Sequence, residues 1–365
     1  MFLVPYLSNQ VNIILSLFIG LPTLILFFLN STYNKSNKIT NNNNSSIIDN
    51  SISSFNELTS IRVLLLSILV TLIVISNLRL VSSFNMFGQL FISSLCVYFI
   101  TILLIVYLFL VYLFYLLFFY KQHLSLEYLY SICIYMYSSL YLYMSISIYS
   151  FFFIIEVMGV ATILLFSSNS LTTPFGPETS SSSNYGIPYS KPTKLAASLF
   201  IQFWMSFFSS IMLILFLILS IYFWNTSNFN EINLILTLAK LDYTHIHPLY
   251  VSLWDMLFVL AFFIKSGISP FHILKMDLYK GLSLSTVYCY TILYFVGIYI
   301  YFLYIIYYLL PHILHNNFYL LEFMLVISSF YLIITLFSSK YLKVFLALSS
   351  VLNSVLLLLI SLPIV

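Results

Sequence analysis

The chain has 365 residues, of which 62% are hydrophobic, 19% aromatic and 6% charged, with a formal net charge of +3. Soluble domains carry about a quarter charged residues. The composition therefore excludes a soluble domain, a disordered chain, a coiled coil, collagen and a disulfide-rich secreted scaffold, and it places most of the chain in a bilayer.

The small net charge gives no reason to expect a nucleic-acid partner. Cys96, Cys133 and Cys289 lie in apolar runs with no CxxC or Cys/His spacing, so they read as buried thiols without metal or disulfide. There are 36 Phe and 31 Tyr against 8 Gly, and Arg occurs only at Arg62 and Arg79. Residues with AT-rich codons are favoured over Gly and Arg, a skew that an AT-rich organelle genome would produce.

A membrane helix needs about twenty mostly apolar residues, and ten stretches meet that requirement. No basic n-region or small-residue cleavage site marks the start, so residues 11–30 read as a first span and not as a signal peptide. The second span is expected at 61–82, between Arg62 and Arg79. The third, 86–120, is too long for one upright span, so it tilts or extends beyond the membrane. Residues 127–167 hold two spans, divided near Ser145–Ser150. The remaining five are expected at 195–224, 250–279, 284–310, 318–338 and 340–363. Runs of this length lack the alternation of barrel strands, so only helices fit.

Two polar stretches interrupt the pattern. Residues 31–60 form an Asn/Ser-rich loop with sequons at Asn30, Asn34, Asn43 and Asn44, and 167–193 form a Ser/Pro/Gly-rich loop. No internal repeat is visible. With ten spans, Lys35, Lys38, Lys121, Lys191 and Lys194 fall on one side, which the positive-inside rule makes the matrix or cytoplasmic face. The fold class is therefore all-α, a polytopic transmembrane helix bundle of about ten spans forming a single domain over 1–365.

Charge inside a span costs roughly 2.5–3.5 kcal/mol on insertion scales, so such a residue reads first as functional. Glu156 stands about nine residues into its span, roughly 13 Å deep at 1.5 Å per residue, and its stem is too short to snorkel. The alternative is a helix that starts later, with Glu156 at its end. Lys265 stands in FFIKSGISPFH, where Gly267 and Pro270 should break the helix. A lysine at such a break is typical of an ion site in a discontinuous membrane helix. The alternative is a Lys that snorkels from a helix ending at Ser266. His272 follows the break and is either a hydrogen-bonded packing residue or a proton relay beside the buried lysine.

Lys275, Asp277 and Lys280 read as solvated charges at the return to the interface. His245 and His247 look like a metal pair without further ligands, so they read as a loop. Lys340 and Lys343 read as anchors at the start of the last span.

The segment FFIKSGISPFHILKMDLYKG resembles the subunit 2 family of the proton-pumping NADH:ubiquinone oxidoreductase, respiratory complex I. That family carries FK-x-x-x-x-PFH-x-x-x-x-D-x-Y-x-G, matched in order and spacing by Lys265, Pro270, Phe271, His272, Asp277, Tyr279 and Gly281. EVMGVATILL is similar to its fifth-helix segment with a buried glutamate, here Glu156. SSKYLKVFLALSSVLNSVLLLLISL is similar to the segment around its tenth helix. The resemblance implies an antiporter-like subunit in which Glu156 and Lys265 form a proton-moving pair with His272 beside it, in the mitochondrial inner membrane.

The same resemblance implies that NADH, flavin, iron–sulfur clusters and ubiquinone are bound by other subunits and none by this chain. The partners it implies are other membrane-arm subunits and lipid. Three departures stand out. The second buried lysine expected on the next helix is absent, with Phe295 near its place. A lysine expected in the sixth-helix region is missing near Gln202. The family's last four helices have no counterpart. A separate chain supplying about four helices with a buried Lys is therefore expected. A stand-alone cation/proton antiporter and a non-pumping structural subunit are the competing readings.

Overall fold

The computed structural model describes residues 61–73, 75, 83–85, 90–119, 126–171, 192–242, 248–268, 271–282, 284–339 and 341–361. The expected first span, the 31–60 loop, most of the 167–193 loop and the His245/His247 pair lie outside them.

The described chain begins with α1 (Ile61–Ile73), followed by a small hairpin of β1 (Ser83–Asn85) and β2 (Leu90–Ile92). The strands pair antiparallel with Phe84 opposite Phe91. Next come α2 (Ser94–Phe119), α3 (Leu126–Met144) and α4 (Ile148–Leu171). The expected long third span is thus shorter than the apolar run. Its first described residues are a strand, and the helix proper has 26 residues.

The second half of the chain is helical throughout its described part. It contains α5 (Pro192–Trp224), α6 (Phe229–Asp242), α7 (Pro248–Ser266) and α8 (His272–Gly281). A longer helical run follows, made of α9 (Leu284–Tyr294), a π-turn (Phe295–Tyr299), α10 (Ile300–Tyr304) and a second π-turn (Ile305–Leu309). The chain ends with α11 (His312–Ser338) and α12 (Leu342–Ser361).

Six helical stretches among the described residues are long and apolar enough to cross a membrane: Leu95–Leu113, Ile148–Ser168, Ala196–Trp224, Thr286–Leu309, Asn317–Ser338 and Leu342–Ser361. The protein is an all-α polytopic membrane bundle. Helix α6 was assigned no span in the sequence. At 14 residues it is about 21 Å long, too short to cross, and it buries Phe229, Ile232 and Leu236 along one side.

Two compact groups of elements are present: Met1–Ser145 with Val160–Pro177, and Ile146–Gly159 with Glu178–Val365. In the first, α3 explains why Ser and Tyr are scattered through an apolar segment. Ser131, Ser138 and Ser139 each donate to a carbonyl three residues back, the hydrogen bonding that lets hydroxyls enter a membrane helix. The Tyr107 and Ser139 hydroxyls meet at 2.6 Å, and those of Tyr137 and Ser67 at 2.9 Å. These bonds lock α3 to α2 and α1.

In the second group, α5 packs on α7 and α8, and α12 packs on α8 and α11. The Thr286–Leu309 run is 65% buried against 28% for Ala196–Trp224, which makes the former a central helix and the latter a peripheral one. Phe262 and Phe302 stack at 3.6 Å between centroids, and Phe216 and Trp254 at 4.5 Å, so aromatic faces form much of this core. Tyr299 donates to the Ser354 carbonyl and Tyr307 to that of Ser361, which ties the central helix to α12.

The local chemistry of the connections is readable. The division of 127–167 falls at Ser145–Ser147, where the Ser147 hydroxyl accepts the Ser150 N–H at 3.1 Å as an N-cap of α4. Pro192 opens α5, where a missing N–H costs nothing. Asn225 ends α5 at φ 54°, a left-handed conformation that Asn tolerates and a β-branched residue does not. The turn it makes lets Ile148 N–H reach the Ser227 carbonyl at 2.8 Å, and Phe229 N–H reach that of Ile146 at 3.1 Å. Asn225→Val is therefore expected to lower stability by about 1–2 kcal/mol while Asn225→Gly leaves it close to unchanged, read as the thermal midpoint of the detergent-solubilised protein.

Candidate proton-transfer site

The break near Lys265 follows from one backbone conformation. Gly267 has φ +63°, open to glycine and strained for other residues. With Gly267 as the left-handed residue, its N–H bonds the Ile264 carbonyl at 3.2 Å and the Ile268 N–H bonds that of Phe263 at 3.1 Å. This is the Schellman pattern, which ends a helix by itself. Helix α7 stops at Ser266, and α8 restarts at His272. Pro270, the other residue expected to break the helix, lies outside the described residues.

Lys265 is therefore in the last turn of α7. Its Nζ lies 3.8 Å from Glu156 Oε1, with the Lys side chain 9% exposed and the Glu side chain 34% exposed. Glu156 is the ninth residue of α4, well inside the helix and not at its end. The ammonium also donates to the Ile155 carbonyl at 3.2 Å. A helical carbonyl faces the residue four positions on, which here is Gly159. A Cβ at Gly159 would lie 3.9 Å from Lys265 Nζ and 2.9 Å from Ser206 Oγ, so its absence lets both α5 and the lysine approach. The Ser210 hydroxyl lies 2.6 Å from Glu156 Oε1 and 2.7 Å from the Ser206 carbonyl, one proton facing two acceptors.

The structure thus joins two residues that are 109 positions apart in the sequence into a carboxylate–ammonium contact, with a switchable hydroxyl on the carboxylate. His272 is not in this contact. It is 3% exposed, packs edge-on against the Tyr331 ring at 5.1 Å, and neither ring nitrogen has a hydrogen-bond partner among the described residues.

Two groups that the sequence reading left out of the site are buried. Lys275 was expected to be solvated. It is 8% exposed, donates to the Ser266 carbonyl at 3.1 Å, and holds its Nζ 5.5 Å from the Tyr294 ring centre. The cause is steric: at Gly267 an added Cβ would meet Lys275 Cδ at 2.9 Å, so the glycine leaves a slot that the lysine stem fills. Asp277 and Lys280, by contrast, form the exposed i,i+3 pair expected of interfacial charges, at 2.6 Å. Lys343 donates to the Leu282 carbonyl at 2.5 Å, so it caps α8 as well as standing near the start of α12.

Asp255 is the second. It is fully buried on α7, 2.9 Å from His312 Nε2. The contact is close but out of line for a hydrogen bond. The Asn317 amide reaches Asp255 at 3.4 Å, and the His312 ring stacks on Trp254 at 5.6 Å. The sequence reading gave Asp255 no role, and the fold shows that α11 closes over it.

No family model matches the sequence, and no curated protein matches it. Solved structures do. The chain superimposes on a subunit of the membrane-bound sulfane sulfur reductase, an archaeal respiratory membrane complex, with TM-score 0.63 and 15% identity over 94% of this chain and 63% of that one. It superimposes on a subunit of respiratory complex I from Thermus thermophilus with TM-score 0.59 and 12% identity, covering 93% and 62%. For the Mrp complex from Dietzia sp. DQ12-45-1b the values are 0.62 and 15%, covering 93% and 34%. At these identities the likeness is one of fold. The chain has the fold of polytopic, antiporter-like membrane subunits of multi-subunit complexes, and it spans a little under two thirds of the first two.

Removing the polar partner of a fully buried carboxyl leaves that group less satisfied, at roughly 1–3 kcal/mol. His312→Ala is expected to lower stability by that order. His312→Ala combined with Asp255→Asn is expected to recover most of the loss, measured by thermal denaturation of the purified protein.

Proposed function

We propose that this chain is a proton-translocating membrane-arm subunit of an NADH:ubiquinone oxidoreductase of the complex I type, in the mitochondrial inner membrane. The observation that carries the reading is the Glu156–Lys265 pair at a helix break inside an antiporter-like bundle. A charged pair at membrane depth is costly, and its use is charge movement. In this reading Lys265 holds a proton against Glu156 and releases it when the field at the pair changes. Ser210 follows by turning its proton between Glu156 and the Ser206 carbonyl, and His272 receives or supplies protons at the far side of the break. NADH, flavin, iron–sulfur clusters and ubiquinone belong to other subunits, and this chain binds none.

A stand-alone cation/proton antiporter is the second reading, favoured by the likeness to the Mrp complex. Co-purification with NADH dehydrogenase activity separates the two. A third reading, a structural subunit that fills the membrane arm without pumping, is favoured by the absence of Lys or Arg between Lys280 and Lys340. Lys265→Ala is expected to cut the protons moved per electron in sealed vesicles while the complex still assembles. Full stoichiometry in an assembled Lys265→Ala complex rejects the relay.

A partner chain with about four spans and a buried Lys is proposed beside α11 and α12. Helices meet in lipid through small and hydrogen-bonding side chains, and the exposed Asn353 and half-exposed Ser350 of α12 border an open groove of about 680 Å³ with Thr291 and Phe295. A structure of the assembled complex is expected to contain such a chain. Lipid, or a chain without a buried basic residue, at that flank rejects the assignment.

A further inference from the structure

Lys275 is the buried cation for which the pair just described has no use. Its ammonium meets one carbonyl, that of Ser266, and one ring face, that of Tyr294. Among the described residues no carboxylate forms an ion pair with it. An ammonium so enclosed is held by dipoles that accept either an ammonium or a neutral amine as donor, so it can change protonation without breaking an ion pair.

Its position is equally specific. The carbonyl it holds belongs to the residue next to Lys265, so the two lysines stand on the two sides of one helix break. The slot for its stem exists because Gly267 lacks a Cβ, and the same glycine makes the break. Other acids and bases around α8 are accounted for. Lys343 of α12 is at the other end of α8, on the Leu282 carbonyl. Among its described side chains α5 carries no acid or base except the exposed Tyr222. From α9, Tyr294 lies under the ammonium and Tyr290 packs beside Tyr294 at 5.2 Å. On α8 itself, His272, to which the proposed function gives a relay role, packs on Tyr331, the buried Tyr279 packs on Tyr290 at 6.1 Å, and Asp277 pairs with Lys280 at the surface.

We infer that Lys275 is a second proton-carrying group, in series with the Glu156–Lys265 pair across the break at Gly267. The step is one proton leaving the Lys265 ammonium and arriving on the neutral Lys275 amine. Lys265 is left as an amine beside Glu156, Lys275 becomes an ammonium on the Ser266 carbonyl, and no other bond changes. The inference rests on the proposed proton-translocating function.

The test compares substitutions in the assembled complex, in sealed vesicles driven by NADH, with Lys265→Ala as reference. Arginine keeps the charge and the donors that cap the Ser266 carbonyl but does not release its proton. A carrier role predicts that Lys275→Arg lowers protons per electron as far as Lys275→Met does. A capping role predicts that Lys275→Arg restores pumping and only Lys275→Met fails, and that result overturns the inference. Lys275→His decides the matter if the arginine complex does not assemble. Histidine titrates near pH 6.5 against about 10.4 for lysine, so pumping should persist with its alkaline limb moved to lower pH. An unmoved profile also overturns the inference. If Lys265→Ala itself pumps fully, the functional reading falls. If Lys265→Ala fails while Lys275→Arg pumps normally, only the role of Lys275 falls.

Discussion

In hydrocarbon every backbone polar group must be met by protein, and a broken helix exposes several at once. The positive φ of Gly267 creates that demand between α7 and α8, and the arrangement of the site follows from how it is met. Two of the freed groups are satisfied by the Schellman bonds to Phe263 and Ile264. Of the carbonyls that remain, that of Ser266 is taken by the Lys275 ammonium. Lys265, in the last turn, points its own ammonium away from these carbonyls and across to the Ile155 carbonyl and Glu156. One glycine thus separates two lysines, assigns each a different carbonyl, and leaves one of them with a carboxylate.

Helix α7 carries a buried acid in its first half and a lysine in its last turn, with aromatic rings packed between them. Asp255 and Lys265 are ten residues apart, about 15 Å along the axis. Between them Phe258 packs on Phe151, Phe216 and Phe302, and Phe262 stacks on Phe302. The Ser209 hydroxyl on the Ala261 carbonyl, at 3.0 Å, is a polar contact from α5 within this stretch. The Asp255–His312 contact closes α11 onto α7. Trp254 reinforces the closure, since its ring stacks on His312 while its N–H donates to the Phe216 carbonyl at 3.2 Å.

The membrane class, five of the spans after residue 127 and the break near Lys265 were legible because they depend on local quantities: length of apolar run, serines at a helix start, a glycine before a proline; the span expected at 250–279 is instead two shorter helices, α7 and α8. The pairing of Glu156 with Lys265 was legible through resemblance, since nothing in their spacing brings α4 against α7. Three features were not legible. Helix α6 is too short to register as a span, and its apolar side is visible only when Phe229, Ile232 and Leu236 are known to be buried. Asp255 stands out only once α11 covers it. Lys275 sits in a run with Asp277 and Lys280 that reads as an interface, and the exposed pair at 2.6 Å fits that reading. The lysine departs from it because its stem enters the slot above Gly267, a steric fact with no sequence signature.

That slot also bears on the basic residue that the resemblance leads one to expect near Phe295. The central helix has an aromatic residue there and begins a π-turn at that point, with the Ile300 N–H reaching back five residues to the Phe295 carbonyl. Such turns are frequent at functional sites because they loosen the regular ladder. The preceding residue, Tyr294, presents its ring to the Lys275 ammonium. A positive charge therefore does reach this part of the central helix, but it comes from α8 and lies on a π-face instead of standing on the helix itself. A place in space can be reached from more than one backbone. Matching lysines position by position along one helix would miss this amine, which the glycine at 267 and the lysine eight residues later bring there.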